Sequence, residues 1–149
     1  MKHVFCDASF DYRHTDSTDE PVVRGKIAIV SDDFKVVERI AIGKVEGLRQ
    51  YINILELIAI ARAIEMGVNY GWEKYLTINT DSMVARAWAR RGKFQPKSMN
   101  EAHKSAIDYL NTVKKLFGGT IEFVQIPRDK NPAGHLLEAE LEREAPHAV

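Results

Sequence analysis

A chain of 149 residues, 45% hydrophobic and 28% charged, is long enough to bury its own core and reads as a single domain over residues 1–149. Its 21 basic residues balance 21 acidic ones, and zero net charge argues against a protein that coats nucleic acid by bulk electrostatics. The lone cysteine, Cys6, excludes an internal disulfide framework and any multi-cysteine zinc site, and reads as a small buried thiol on a strand.

In chain order, "KHVFCDAS" is a first strand ending in Asp7, followed by a long polar loop from Phe10 to Arg24. "GKIAIVS" and "KVVERIAIG" form a hairpin about the turn "SDDF". Residues Gln50 to Met66 are helical and unusually apolar, with Gly67 placed as the C-terminal stop. "KYLTINT" is a fourth strand that runs into the helix "DSMVARAWARR", for which Asp81 or Ser82 is the cap. "KSMNEAHKSAIDYLNTVKKLF" is a further helix closed by Gly118 and Gly119, "TIEFVQIP" a fifth strand, and "PAGHLLEAELERE" a last helix. Three strands, then strands joined through helices, imply an α/β fold: a mixed sheet with an antiparallel meander, parallel later strands, and helices on both faces. The N-terminus is too short in apolar residues for a signal peptide and no run approaches a membrane span, so the expected location is cytoplasmic, with no membrane and no obligate protein partner.

Charge is unevenly placed. Ser82 to Lys97 carries five basic residues and no acid, whereas Asp7 to Glu20 carries five acids against Arg13. The basic stretch is either a ledge for phosphates or a solvated helix face.

Three acids stand out by context. Asp7 and Asp81 close apolar strands; if strands one and four are parallel neighbours, both emerge at the carboxyl edge, where open α/β sheets place ligands. Glu56 sits in "YINILELIAIA", a helix apolar nearly all round, with only Asn53 as a polar neighbour on its face and Arg62 directed elsewhere. An unpaired carboxylate is costly there. Either a distant cation or solvent reaches Glu56, or a divalent ion gathers it with Asp7 and Asp81. Taken singly, Asp81 as a helix cap and Asp7 as a turn residue would be unremarkable.

With these motifs in order, the sequence resembles the type 1 ribonuclease H family. "VFCDAS" is similar to the family's first-strand motif, "RGKIAIV" to its Gly-led second strand, "NILELIAIARAI" to its Asn-x-Ala-Glu helix with Leu55 in the Ala position, and "INTDSMVARAW" to its Thr-Asp-Ser motif. "FVQIPRDKNPAGHLLEAEL" is similar to the final segment, with Asn131 on the family's Asn, Gly134 in the Ala position and His135 in the Asp position. The chain has only "IPRDK" where many members carry a loop with a catalytic His, as in the subgroup lacking that loop. The resemblance implies a five-stranded mixed sheet in the order 3-2-1-4-5. It also implies an endonuclease that hydrolyses the RNA strand of RNA/DNA hybrids with two divalent ions, Mg2+ or Mn2+.

Asp7, Glu56, Asp81 and His135 are then the catalytic residues and metal ligands. Asp7 is the candidate bridging ligand, Glu56 and Asp81 would hold one ion each, and His135 would complete the second. An imidazole suits Mn2+ better than Mg2+, so the second site is expected to favour Mn2+. The alternatives for His135 are a proton carrier for the leaving group and a solvent-facing residue of a degenerate site; Glu138, and less readily Asp129, would be a substitute oxygen ligand. Asn53 with Glu56, and backbone near Ala8 and Ser9, are candidate readers of the RNA 2′-OH, and Ser82 of a phosphate at a helix N-terminus. Arg86, Arg90 and Lys93, with Trp88 and Phe94 interleaved, are candidates for the DNA strand's phosphates, Trp88 being assigned to the core by its helical spacing from Val84.

Two other classes compete: a nuclease of the same fold acting on another nucleic-acid structure, and a non-catalytic hybrid- or RNA-binding module. Asp7-Ala8-Ser9, with no second acid two residues on, argues against a proofreading exonuclease.

Overall fold

The computed structural model describes residues 2–10, 22–43, 48–72, 74–93 and 101–144. Its strands are β1 (Lys2–Phe10), β2 (Val22–Val30), β3 (Lys35–Gly43), β4 (Tyr75–Thr80) and β5 (Thr120–Gln125). Its helices are α1 (Leu48–Asn69), α2 (Met83–Arg91), α3 (Glu101–Phe117) and α4 (Pro132–Glu144), with a 3-10 turn at Arg128–Lys130 before α4. The sheet order is β3-β2-β1-β4-β5, as the resemblance implies, antiparallel through β1–β2–β3 and parallel for β1–β4 and β4–β5.

Side-chain alternation divides β1 between two cores of unequal size. Val4, Cys6, Ala8 and Phe10 face α1 and join the large core, while Phe5 turns to the other face with Ala28, Val30, Ala133 and Leu137 beneath α4. The sequence of α1 has hardly any polar stripe because most of the helix is covered: none of residues 52–68 is fully exposed. It lies on β1 and β2 with α3 against its flank, and α3 offers His103, Ala106, Ile107, Leu110 and Val113 at helical spacing.

Several boundaries differ by a few residues from the sequence expectation, and two of the differences have a clear cause. Gly67 does not stop α1, which continues to Asn69. A Cβ on Gly67 would lie 3.1 Å from the Trp72 ring, so the glycine makes room for the indole. The stop is Gly71, at φ 71°: its N–H donates to Val68 O and that of Trp72 to Gly67 O, the paired bonds of a left-handed helix end. Likewise β1 does not end at Asp7 but runs to Phe10, because β2 keeps pairing with it there. The Phe10–Arg24 loop is described only at its ends; residues 11–21, with Phe94 and Lys97 of the basic stretch, lie outside the described residues. Among the described residues no helix is long and apolar enough to cross a membrane.

Candidate active site

The site forms where β1 and β4 part. Their pairing stops at Phe5 with Asn79, so two residues further Asp7 is level with Asp81, just past the end of β4. Asp7 follows Phe5 on the α4 face of β1, and beyond the end of β4 the sheet no longer separates that face from α1. Glu56 reaches the same gap from α1. Carboxylate oxygens of Asp7, Glu56 and Asp81 all lie within 4.8 Å of one another.

Burial makes this arrangement costly. Asp7 is 7% exposed and Glu56 6%, and Glu56 Oε2 has no hydrogen-bond partner. Desolvation, and then the Asp7 charge, push the Glu56 carboxyl well above its ordinary range. Desolvation also raises Asp7, offset in part by a hydrogen bond with Glu56 and by the Arg128 guanidinium. Without a cation both carboxyls are thus biased toward their protonated forms, Glu56 the more strongly. All the donors are oxygens, one is buried and unsatisfied, and three acids converge, which together fit a hard divalent ion.

Local structure frees Asp81 for this role. Ser82 caps α2, its Oγ accepting from Ala85 N at 3.1 Å, so Asp81 is not spent on the helix end. Its Oδ2 accepts instead from Asn131 Nδ2 at 3.2 Å. Asn131, fully buried, also donates to Cys6 O at 3.0 Å, taking a carbonyl of β1 that β4 no longer reaches. Its Oδ1 accepts from Ala133 N and so caps α4. One side chain thus ties together β1, Asp81 and the start of α4. The sequence reading used Asn131 only to set the alignment; the Asn-Pro step before a helix was the available signal of a cap. Arg128, the cation near Asp7, was likewise not assigned a role.

Gly134 abuts Asp7: a Cβ there would lie 2.9 Å from Asp7 Oδ2. His135, next in the chain, is exposed and stands apart from the three carboxylates, with Nε2 2.8 Å from Asp129 O. A carbonyl only accepts, so Nε2 carries the proton and the Nδ1 lone pair is left available. Glu138 is exposed and outside the cluster, and Asp129 contributes its carbonyl rather than its carboxylate.

The other candidates scatter. Asn53 lies half-buried one turn before Glu56, Ala8 is in the core, and Ser9 pairs with Lys26 on β2. Arg86 turns onto β5, its Nε donating to Phe123 O at 2.8 Å, while Arg90 and Lys93 are exposed. Trp88 does pack against the core, edge-on to His103, but Val84 is 41% exposed, so the buried face of α2 is Ala85 and Ala89.

Solved structures with the same architecture cover almost the whole chain. A ribonuclease H1 isolated from compost by a metagenomic approach is 17% identical with a TM-score of 0.64, over 97% of this chain and 98% of that one. The ribonuclease H1 of the halophilic archaeon Halobacterium salinarum is 16% identical with a TM-score of 0.60, over 95% and 98%. The compost enzyme solved in complex with an RNA/DNA hybrid is 18% identical with a TM-score of 0.59, over 91% and 93%. The chain has the ribonuclease H-like fold. At the level of sequence, no family model matches and no curated protein matches.

Proposed function

We propose that the protein is a metal-dependent endonuclease that hydrolyses the RNA strand of RNA/DNA hybrids by a two-metal-ion mechanism. The observation that carries this is Glu56: a buried carboxylate with an unsatisfied oxygen, facing Asp7 and Asp81 at the carboxyl edge of a ribonuclease H-like sheet. An acid kept in that position without a protein cation has a reason to be there only if a cation comes from solution. One of the solved structures of this fold was determined with an RNA/DNA hybrid, which supports that substrate class.

In this mechanism Asp7, Glu56 and Asp81 would hold the ions, and His135 would be the further ligand, its Nδ1 lone pair being the one not committed to Asp129 O. Bound divalent ions supply Lewis-acid activation of water and neutralise charge on the departing oxygen. Asn131 fixes the Asp81 carboxylate, so the ligand set is oriented before an ion arrives. The Asp129 carbonyl holds the His135 tautomer in the same way. Asn53 and the backbone of Ala8 and Ser9 lie on the two elements that carry Glu56 and Asp7, and serve to read the 2′-OH of the RNA strand. Ser82 has its oxygen lone pair committed to Ala85 N, leaving its hydroxyl proton for a phosphate.

The test is an end-labelled hybrid incubated with Mg2+ or Mn2+ beside an Asp81→Asn variant. Cleavage confined to the RNA strand and reduced at least about 1000-fold in the variant is expected, since loss of one metal ligand removes several kcal/mol of transition-state stabilisation. No cleavage in either metal would remove the hybrid-nuclease function, and hybrid binding that survives chelation would then point to a binding module.

A further inference from the structure

A second charged feature lies away from the carboxylates. Between α2, α3 and the free edge of β5 runs a groove of about 520 Å3, lined by Arg86, Arg90, Lys114 and residues 119–123. Its one acid is Glu122. Among the described residues no carboxylate pairs with any of the three cations.

Two of those cations are held by the backbone. Arg86 is fixed through Nε on Phe123 O, and Lys114 Nζ donates to Ala89 O at 3.0 Å over the Phe123 ring. Each keeps further N–H groups for an anion, the Arg86 fork being suited to two oxygens at once. Charges fixed in advance and left without a counter-charge are what a polyanion site needs. An added peptide strand fits worse, because Arg86 occupies the Phe123 carbonyl in the middle of the β5 edge and interrupts main-chain pairing.

Position relates the groove to the site. Phe123 is level with Ile78 and Thr120 with Tyr75, three and six residues short of Asp81. At about 3.3 Å per residue the groove lies roughly 10 to 20 Å from the carboxylates. That is about three to six duplex steps of 3.4 Å.

We propose that this groove binds the phosphate backbone of the nucleic-acid substrate on one flank of the cleavage point. The proposal rests on the hybrid-nuclease function and gives that substrate a second anchor. It makes the basic face of α2 one wall of this groove.

The test measures binding of an end-labelled hybrid by fluorescence anisotropy, in chelator and over a series of salt concentrations, for wild type and an Arg90→Glu/Lys114→Gln variant whose fold is checked by circular dichroism. The expected result is at least a tenfold weaker Kd and a slope of log K against log salt smaller by about one to two. In cleavage assays KM rises correspondingly, and the penalty falls below twofold once the hybrid's flanks are cut to fewer than about three base pairs. Arg90→Glu alone, at an exposed position, gives a smaller loss of the same sign.

Unchanged affinity and salt slope in both variants, with wild type still cleaving, would overturn the groove and leave the nuclease intact. Groove-dependent binding without cleavage in any metal would keep the groove and remove the nuclease. Wild type that does not bind the hybrid at all would overturn both.

Discussion

Helix α1 carries two acids nine residues apart, Glu56 and Glu65, with opposite surroundings. Glu65 accepts from Arg62 and from the Tyr109 hydroxyl at 2.9 Å, and Arg62 also bridges to Glu38 on β3 at 2.8 Å. Burial, and then the Glu65 carboxylate, push the Tyr109 phenol well above its ordinary range. That cluster joins β3, α1 and α3 and gives each acid a donor from within the protein. Glu56, deeper on the same helix, meets two further carboxylates and keeps one oxygen without a partner. An acid whose partners are supplied by the protein serves the fold, whereas an acid surrounded by like charge is retained at a cost to the fold.

The contrast is broken most forcefully at the acids themselves. Glu56→Gln is expected to reduce hybrid cleavage at least about 1000-fold. The same change should raise the stability of the metal-free protein by about 1 kcal/mol, read by denaturant unfolding. Glu65→Gln should do the reverse, leaving cleavage intact and lowering stability by about 0.5–1 kcal/mol, since its ion pair is part-exposed. If both variants are destabilised alike, Glu56 is not under strain and the distinction fails.

Asn131→Ala comes next. It removes the Asp81 bond, the Cys6 carbonyl's partner and the α4 cap together, at about 2–3 kcal/mol of stability by thermal unfolding. It should also lower affinity for Mg2+ by calorimetric titration, roughly 10- to 100-fold as for other groups that orient metal ligands.

pH sharpens the comparison further. Folded Asp7 and Glu56 hold protons above their ordinary values of 3.8 and 4.5. The folded state therefore binds more protons than the unfolded one between those values and the raised folded pKa values. Stability conferred by protonation is fully present below the ordinary values and is lost as pH rises through the raised ones. Metal-free protein should accordingly lose stability from these two groups as pH increases across that window, and Glu56→Gln should flatten the profile. Saturating Mg2+ should also flatten it by holding both groups ionised. A profile that rises with pH in wild type and is unaffected by the substitution would contradict the raised carboxyls of Asp7 and Glu56.

The smallest expected effect is at His135. His135→Asp should shift the ratio of Mn2+- to Mg2+-supported cleavage toward Mg2+ by about tenfold, an oxygen replacing the imidazole. An unchanged ratio in His135→Asp and in His135→Ala would place His135 outside the metal chemistry.

The element order and the three acids were legible in the chain, because each rests on a local contradiction or a local period. Glu56 was visible as an acid inside an apolar helix, and Asp81 as an acid at a strand end, although whether Asp81 or Ser82 caps α2 was decided only by the structure. His135 was visible as a candidate from the alignment of "NPAGH", but its ring orientation was not. That orientation depends on the carbonyl of Asp129, six residues back across a turn. Gly67 misled because a helix-stopping glycine and one that yields space to Trp72 look the same in sequence. Trp88, assigned to the core from its spacing, packs partly buried against it, but its spacing partner Val84 is exposed and does not share that face.

What the sequence by itself determined is what hydrophobic periodicity and single misplaced charges can encode: five strands, four helices and a set of acids too costly to be incidental. What only tertiary structure decided is every relation between residues far apart in the chain. The end of β1–β4 pairing at Phe5 lets Asp7 and Glu56 meet, and Asn131 bonds to Cys6 across 125 residues. Arg86 turns onto β5 because the Phe123 carbonyl on that free edge needs a donor. These follow from which backbone groups the packed sheet leaves unpaired, and no local stretch of sequence records that.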